Sequence, residues 1–150
     1  MRHMSGSRAT LWGLWSFAVA LLGLELYLAE RLAAAQTFPW AEATVGVAGF
    51  VLGVISVALG VWTFALREGL ALRVVRSGAL DPSTPGGFFR LRRMLLALWT
   101  LCVVIGALGE VVAWGSGSAR MAWPYIGGAG ALLLLHAPRQ WVFSPPVPAP

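Results

Sequence analysis

Two glutamates, Glu25 and Glu110, stand inside long apolar runs of this chain, and no other acid does. A carboxyl group in such surroundings is a functional candidate, because lipid penalises its charged form. Each lies about four residues, or ~6 Å along a helix, from the outer end of its run, so the two share one depth. Two carboxyls that converge can share a proton, hold a cation or relay protons. The competing expectation is structural: each snorkels outward or pairs with the nearby Arg31 or Arg120. Angular position separates the two residues. At 100° per residue, Glu110 falls beside Gly106, whereas Glu25 falls nearly opposite a strip of Ser16, Ala20 and Gly23, so different partners are expected for each.

Other chemistry is sparse. His136 has only His3 for company, which gives neither a metal site nor a facing haem ligand, and no cofactor is expected. Cys102, the single cysteine, excludes an internal disulfide and reads as a small buried residue. No phosphate loop, nucleophile elbow, HExxH pair or glycosidase-type acid pair occurs, so no catalytic residue is assigned and a non-enzymatic role is expected.

The elements that must carry these residues follow from composition. Apolar residues make up 58% of the chain and charged residues 11%, too little polar surface to cover a water-soluble globule. Four runs are long enough to cross a membrane as helices: Leu11 to about Ala29, Ala43 to Leu66, Met94 to Trp114, and the shorter Met121 to Ala137. Pro124 sits in the first turn of the last, where its missing N–H is harmless. The fold class predicted is an all-α integral membrane protein, a four-transmembrane-helix bundle spanning residues 1–143 with a Pro-rich tail, Ser144–Pro150, beyond it.

All eleven basic residues are arginines, and their positions orient the chain. Arg2, Arg8, Arg67, Arg73, Arg76, Arg90, Arg92, Arg93 and Arg139 fall on one side and only Arg31 and Arg120 on the other, nine against two. Both termini and the loop 67–93 are therefore expected in the cytoplasm, with a bacterial inner membrane as the location. The net charge of +5 is then an orientation signal rather than a nucleic-acid footprint. Tryptophans agree: Trp12, Trp15, Trp62, Trp99 and Trp141 mark the inner boundary, and Trp40, Trp114 and Trp123 the outer. The first run resembles a secretory signal ending at Ala33-Ala34-Ala35, but its length, Glu25, Glu30 and Arg31 favour a retained span.

Two motifs repeat. Leu14-Trp15-Ser16 opens the first span and Leu98-Trp99-Thr100 the third, each followed by its glutamate. Val45–Leu52 and Ile126–Leu133 share two glycines, an alanine and a final leucine. A duplicated helical hairpin is predicted, with a pseudo-twofold axis along the membrane normal.

Small residues mark where helices approach closely in lipid. The strips are Gly49, Gly53, Ser56 and Gly60 in the second span and Cys102, Gly106 and Gly109 in the third, with Ser16–Ala20–Gly23 and Gly127–Ala131 in the others. Packing within the bundle is the expected use of the second-span strip, with dimerisation the alternative. The loop is expected to continue the second span as an amphipathic helix through Arg67–Leu80. Its arginines (Arg67, Arg73, Arg76, Arg90, Arg92 and Arg93) would then meet anionic headgroups or a protein partner. Expected partners are thus membrane lipids and another membrane protein or a second copy. The role predicted is a subunit, assembly factor or partner-binding module, the alternative a small transporter or channel working through Glu110 and Glu25.

Overall fold

The computed structural model describes residues 2–37, 39–72, 75, 77–81 and 84–138. Every regular element among them is helical: α1 (Arg2–Ala35), α2 (Glu42–Leu66), α3 (Pro85–Ser116) and α4 (Trp123–Leu135). A π-helical turn, Arg67–Leu72, continues α2, and a 3₁₀ turn, Ala119–Ala122, leads into α4.

Local chemistry sets the ends of α3. At its start the Thr84 hydroxyl accepts from the Gly87 N–H at 3.1 Å, and Pro85 occupies the first turn where no N–H is needed. At its end Gly117 adopts φ 64°, a left-handed turn that costs glycine nothing. The Gly117 N–H then reaches Trp114 O at 3.3 Å and the Ser118 N–H reaches Ala113 O at 3.2 Å, the paired bonds of a Schellman stop.

Three segments are long and apolar enough to cross a membrane: Arg8–Ala35, Glu42–Gly69 and Pro85–Ser116. The fourth expected span is shorter than predicted. As an α-helix it has 13 residues, a rise of ~20 Å. The chain leaving the Gly117 turn first passes through the tighter 3₁₀ turn, which delays the start of α4 to Trp123.

The third helix is central: α1, α2 and α4 all pack on it, while α1 and α2 have little direct contact. A twofold pair of hairpins would pack α1 on α2 as α3 packs on α4, and the helices are not arranged so. Two clusters form the interior. The larger, towards the start of α3, joins Leu11, Ala18 and Leu22 of α1 to Leu91, Leu95, Leu98, Trp99, Cys102 and Ile105 of α3 and to Ala129 and Leu133 of α4. A smaller cluster, towards the end of α3, brings together Ala29, Ala113 and Ala122 with Ile126 packed against them.

The loop also departs from the amphipathic helix predicted for Arg67–Leu80. The π-helical turn carries helix on through Leu72, and the turn at Ser77–Gly78, where Gly78 has φ 70°, ends it short of Leu80. Val75 and Leu80 are buried in the larger cluster, so the loop folds back over the helix ends instead of lying along a surface. Arg73, Arg76 and the tail lie outside the described residues.

Candidate functional site

The face of α1 that meets α3 is formed by Leu11, Ala18, Leu22, Glu25, Ala29 and Ala33, all buried, with Trp15 half-buried among them. These positions recur at threes and fours, one stripe of a helix. Glu25 belongs to the stripe and is 7% exposed. Its carboxyl lies on Gly106, where an added Cβ would collide with Glu25 Oε2 and press on Leu22. The missing side chain of Gly106 thus makes the notch that admits the acid.

Glu110 follows Gly106 by one helical turn and is half-buried. The two glutamates therefore share the α1–α3 seam, correcting the expectation that they face different partners. The error arose from taking Ser16, Ala20 and Gly23 as the contact face of α1. All three are exposed, and nothing lies within 4 Å of a Cβ placed on Gly23. Leucine and alanine fill the true interface. The Gly127–Ala131 strip of α4 faces outward too, and Ala129 and Leu133 are buried in its place.

Both acids keep an oxygen that is buried and unpartnered, Oε2 of Glu25 and Oε1 of Glu110. The nearby Arg31 is engaged by Tyr27 instead. Its Nε donates to the Tyr27 hydroxyl at 2.9 Å, with the guanidinium 5.1 Å from that ring centre. Arg120 is exposed.

The glycines of α2 line the crevice between α3 and α4. A Cβ on Gly49 would meet Val112, one on Gly53 the Tyr125 hydroxyl at 3.7 Å, and one on Gly60 Leu132. Ser56, in the same strip, has a buried and unpartnered Oγ. On α3, Gly109 leaves room for Tyr125 and for the Ala122 backbone. The Tyr125 hydroxyl donates to Gly49 O at 2.7 Å, a polar tie across the outer part of the α2–α4 contact.

A second tie closes the inner end. Thr63 donates its hydroxyl to Gly60 O at 2.7 Å, and His136 Nε2 lies 3.1 Å from the same hydroxyl oxygen. With the hydroxyl proton so committed, Nε2–H is the donor and Nδ1, buried and unpartnered, carries the lone pair. Two indoles hold the end of α4. Trp15 Nε1 donates to Leu133 O at 2.9 Å and Trp99 Nε1 to His136 O at 3.1 Å. These carbonyls belong to the helix terminus, where no intrahelical donor remains. The repeated tryptophans thus converge on one helix end from two sides. Composition at the membrane boundary suggested instead that their N–H groups faced water.

Among the loop arginines, Arg67 and Arg92 are half-buried and Arg90 and Arg93 exposed. No group of three or more His, Cys, Asp or Glu among the described residues is placed to hold a metal ion. The chain matches no family model, no curated protein and no solved structure. Its site is therefore interpreted from its own chemistry.

Proposed function

We propose that the chain is a non-enzymatic membrane protein, a bundle of four crossing helices with both termini in the cytoplasm, that serves as a subunit or assembly factor of a larger membrane complex. The observation that carries this reading is the pair of unmatched carboxyl groups in the α1–α3 seam. A charged acid within a span costs roughly 2.5–3.5 kcal/mol on insertion scales unless it is paired. Glu25 is shut inside, but Glu110 is half-buried at the same seam and within reach of an approaching helix. A lysine or arginine on a partner helix at that depth would complete the pair. The nine-to-two distribution of arginines supports the orientation. The repeated Leu-Trp-Ser and Leu-Trp-Thr motifs record a duplicated hairpin whose twofold packing was not retained.

A photo-crosslinker at the exposed Val111, beside Glu110, tests the partner role in native membranes. A single adduct to a basic membrane-spanning segment is expected, and Glu110→Gln should abolish it while the protein still accumulates. An adduct that persists in Glu110→Gln overturns the reading. For orientation, reporter fusions after Arg8, Gly86 and Pro150 should report cytoplasm and one near Gln36 the exterior.

The convergence of the two carboxyls favours a second reading, a small transporter or channel in which they bind a proton or monovalent cation. Reconstituted vesicles should then carry a flux that is lost in Glu25→Gln or Glu110→Gln. A silent parent across ions and pH gradients removes this reading and leaves the first intact.

A further inference from the structure

The start of α3 carries a charged surface that neither reading uses. Its core face is set by Leu91, Leu95 and Leu98, all buried. At 100° per residue, Phe89 and Arg93 fall on the opposite side of the helix, with the half-buried Arg92 on the flank beside Phe89. Phe89 is exposed. The guanidinium carbons of Arg92 and Arg93 lie 5.5 Å and 5.7 Å from its ring centre, so one aromatic face organises two cations. Arg92 Nε is buried without a partner, and the exposed Arg90 extends the patch around the helix. The first turn of α3 holds no acid. The acids described at this end of the molecule are Glu68 and Asp81, both exposed and on the preceding turn and loop.

Depth identifies the partner. The apolar stretch of α3 begins at Met94, one and two residues beyond Arg93 and Arg92, a rise of ~2–3 Å. Headgroup layers on either side of a ~30 Å hydrocarbon core are about 5–8 Å thick. With Met94 at the hydrocarbon edge, Arg92 and Arg93 fall within the headgroup layer, at the level of lipid phosphates, and Phe89 lies one turn further towards water. Arginine forks match phosphate oxygens in pairs, and stacking on the ring restricts the side-chain freedom that binding would otherwise remove.

We infer that Phe89, Arg92 and Arg93, flanked by Arg90, form a binding site for the phosphate headgroup of an anionic phospholipid on the cytoplasmic leaflet. The site sits at the end of the molecule away from Glu25 and Glu110, and it requires only that α3 crosses the membrane in the proposed direction.

The test reconstitutes the full chain in vesicles of phosphatidylcholine containing a minor fraction of spin-labelled phosphatidylglycerol or spin-labelled phosphatidylcholine. The ratio of motionally restricted anionic to zwitterionic label reports selectivity. The parent should prefer phosphatidylglycerol, and Arg92→Gln should lower the ratio about fivefold, the equivalent of one headgroup contact. Phe89→Leu should lower it less by releasing the guanidiniums, and Arg31→Gln, at the other end, should leave it unchanged. If Arg92→Gln fails to accumulate, Arg92→Lys serves: it keeps the charge but not the fork and should retain only part of the preference. An equal ratio in the parent, or a ratio untouched by both Arg92 variants, overturns the site. Displacement of the label by inorganic phosphate as readily as by added phosphatidylglycerol overturns the lipid assignment in favour of a free phosphate. Displacement by a soluble acidic peptide overturns it in favour of a protein partner.

Discussion

The second and third helices are comparably apolar, yet they are held in opposite ways. Along α3, eleven residues are buried, from Leu91 at the inner end to Gly115 at the outer. Along α2, only Val45 and Thr63 are buried, and Val47, Phe50, Val54, Val57 and Val61 stand exposed. Apolarity therefore does not decide which helix becomes the centre. In lipid a leucine gains little by leaving the acyl chains, so the decisive features are where backbones can approach and where polar groups find partners. On α3, Gly106 admits Glu25, Gly109 admits Tyr125, and Gly115 admits the ring of Trp40, while the backbone N–H of Trp40 donates to Gly115 O at 2.8 Å. On α2 the glycine contacts are looser, and two polar ties, Tyr125 to Gly49 and His136 to Thr63, hold what little surface packs.

The largest expected effect sets a glycine of one helix against a glycine of the other. A Cβ on Gly109 would lie 2.8 Å from Tyr125 Cβ and 3.0 Å from the Ala122 carbonyl oxygen, neither of which can swing away. Gly109→Ala should destabilise by about 1–3 kcal/mol, the usual range for overpacking, and Gly109→Leu should prevent assembly. Gly53→Ala meets only an ordinary contact and should be neutral, or gain up to ~1 kcal/mol from helix propensity. Thermal unfolding in one detergent compares them directly. Equal losses at the two sites would break the distinction between the helices.

An intermediate effect is expected at the ties. Tyr125→Phe and Thr63→Val each remove a hydrogen bond worth about 1 kcal/mol. The ties lie at opposite ends of α2, ~20 Å apart, so the double variant should show the sum. The readout is the labelling rate of a cysteine introduced on the α2 strip at Ser56, in a background where Cys102 is replaced by Ala. If labelling is unchanged in the double variant, α2 is held by apolar packing after all. The smallest effect belongs to the outer face of α2: Val57→Leu should shift stability by less than about 0.5 kcal/mol. A larger loss would mean that this face is covered by something other than lipid.

How far these relations could be read in advance varied with the helix. Leu11–Ala29 and Ala43–Leu66 were legible as apolar runs, because length and the scarcity of charge signal a membrane-sized helix by themselves. The inward face of α1 was not. Nearly every position from Trp12 to Leu28 is apolar or small, so periodicity does not separate a lipid-facing side from a protein-facing one. The small-residue rule singled out Ser16, Ala20 and Gly23, which face outward. A better signal was present: Leu11, Trp15, Ala18, Leu22, Glu25 and Ala29 follow a heptad spacing, and the one acid of the run lies in it. The convergence of Trp15 and Trp99 on α4 was beyond sequence reasoning. It depends on three helices meeting at one level, which no pattern along the chain encodes.

The brevity of α4 has a consequence for the bilayer around the protein. Its 13 helical residues rise ~20 Å, about two-thirds of a ~30 Å hydrocarbon core. The two tryptophan bonds hold its C-terminal end and the Ala122 packing its N-terminal end. Its exposed side chains, Trp123, Leu134 and Leu135 among them, cover less height than the longer helices beside it. In the proposed membrane arrangement, crossing there would require the acyl chains to shorten on one flank and not on the others, a hydrophobic mismatch confined to one sector of the circumference. A protein so placed would tilt towards its short side and enrich short-chain lipids around it. In a membrane of mixed thickness it would gather where the bilayer is thinnest.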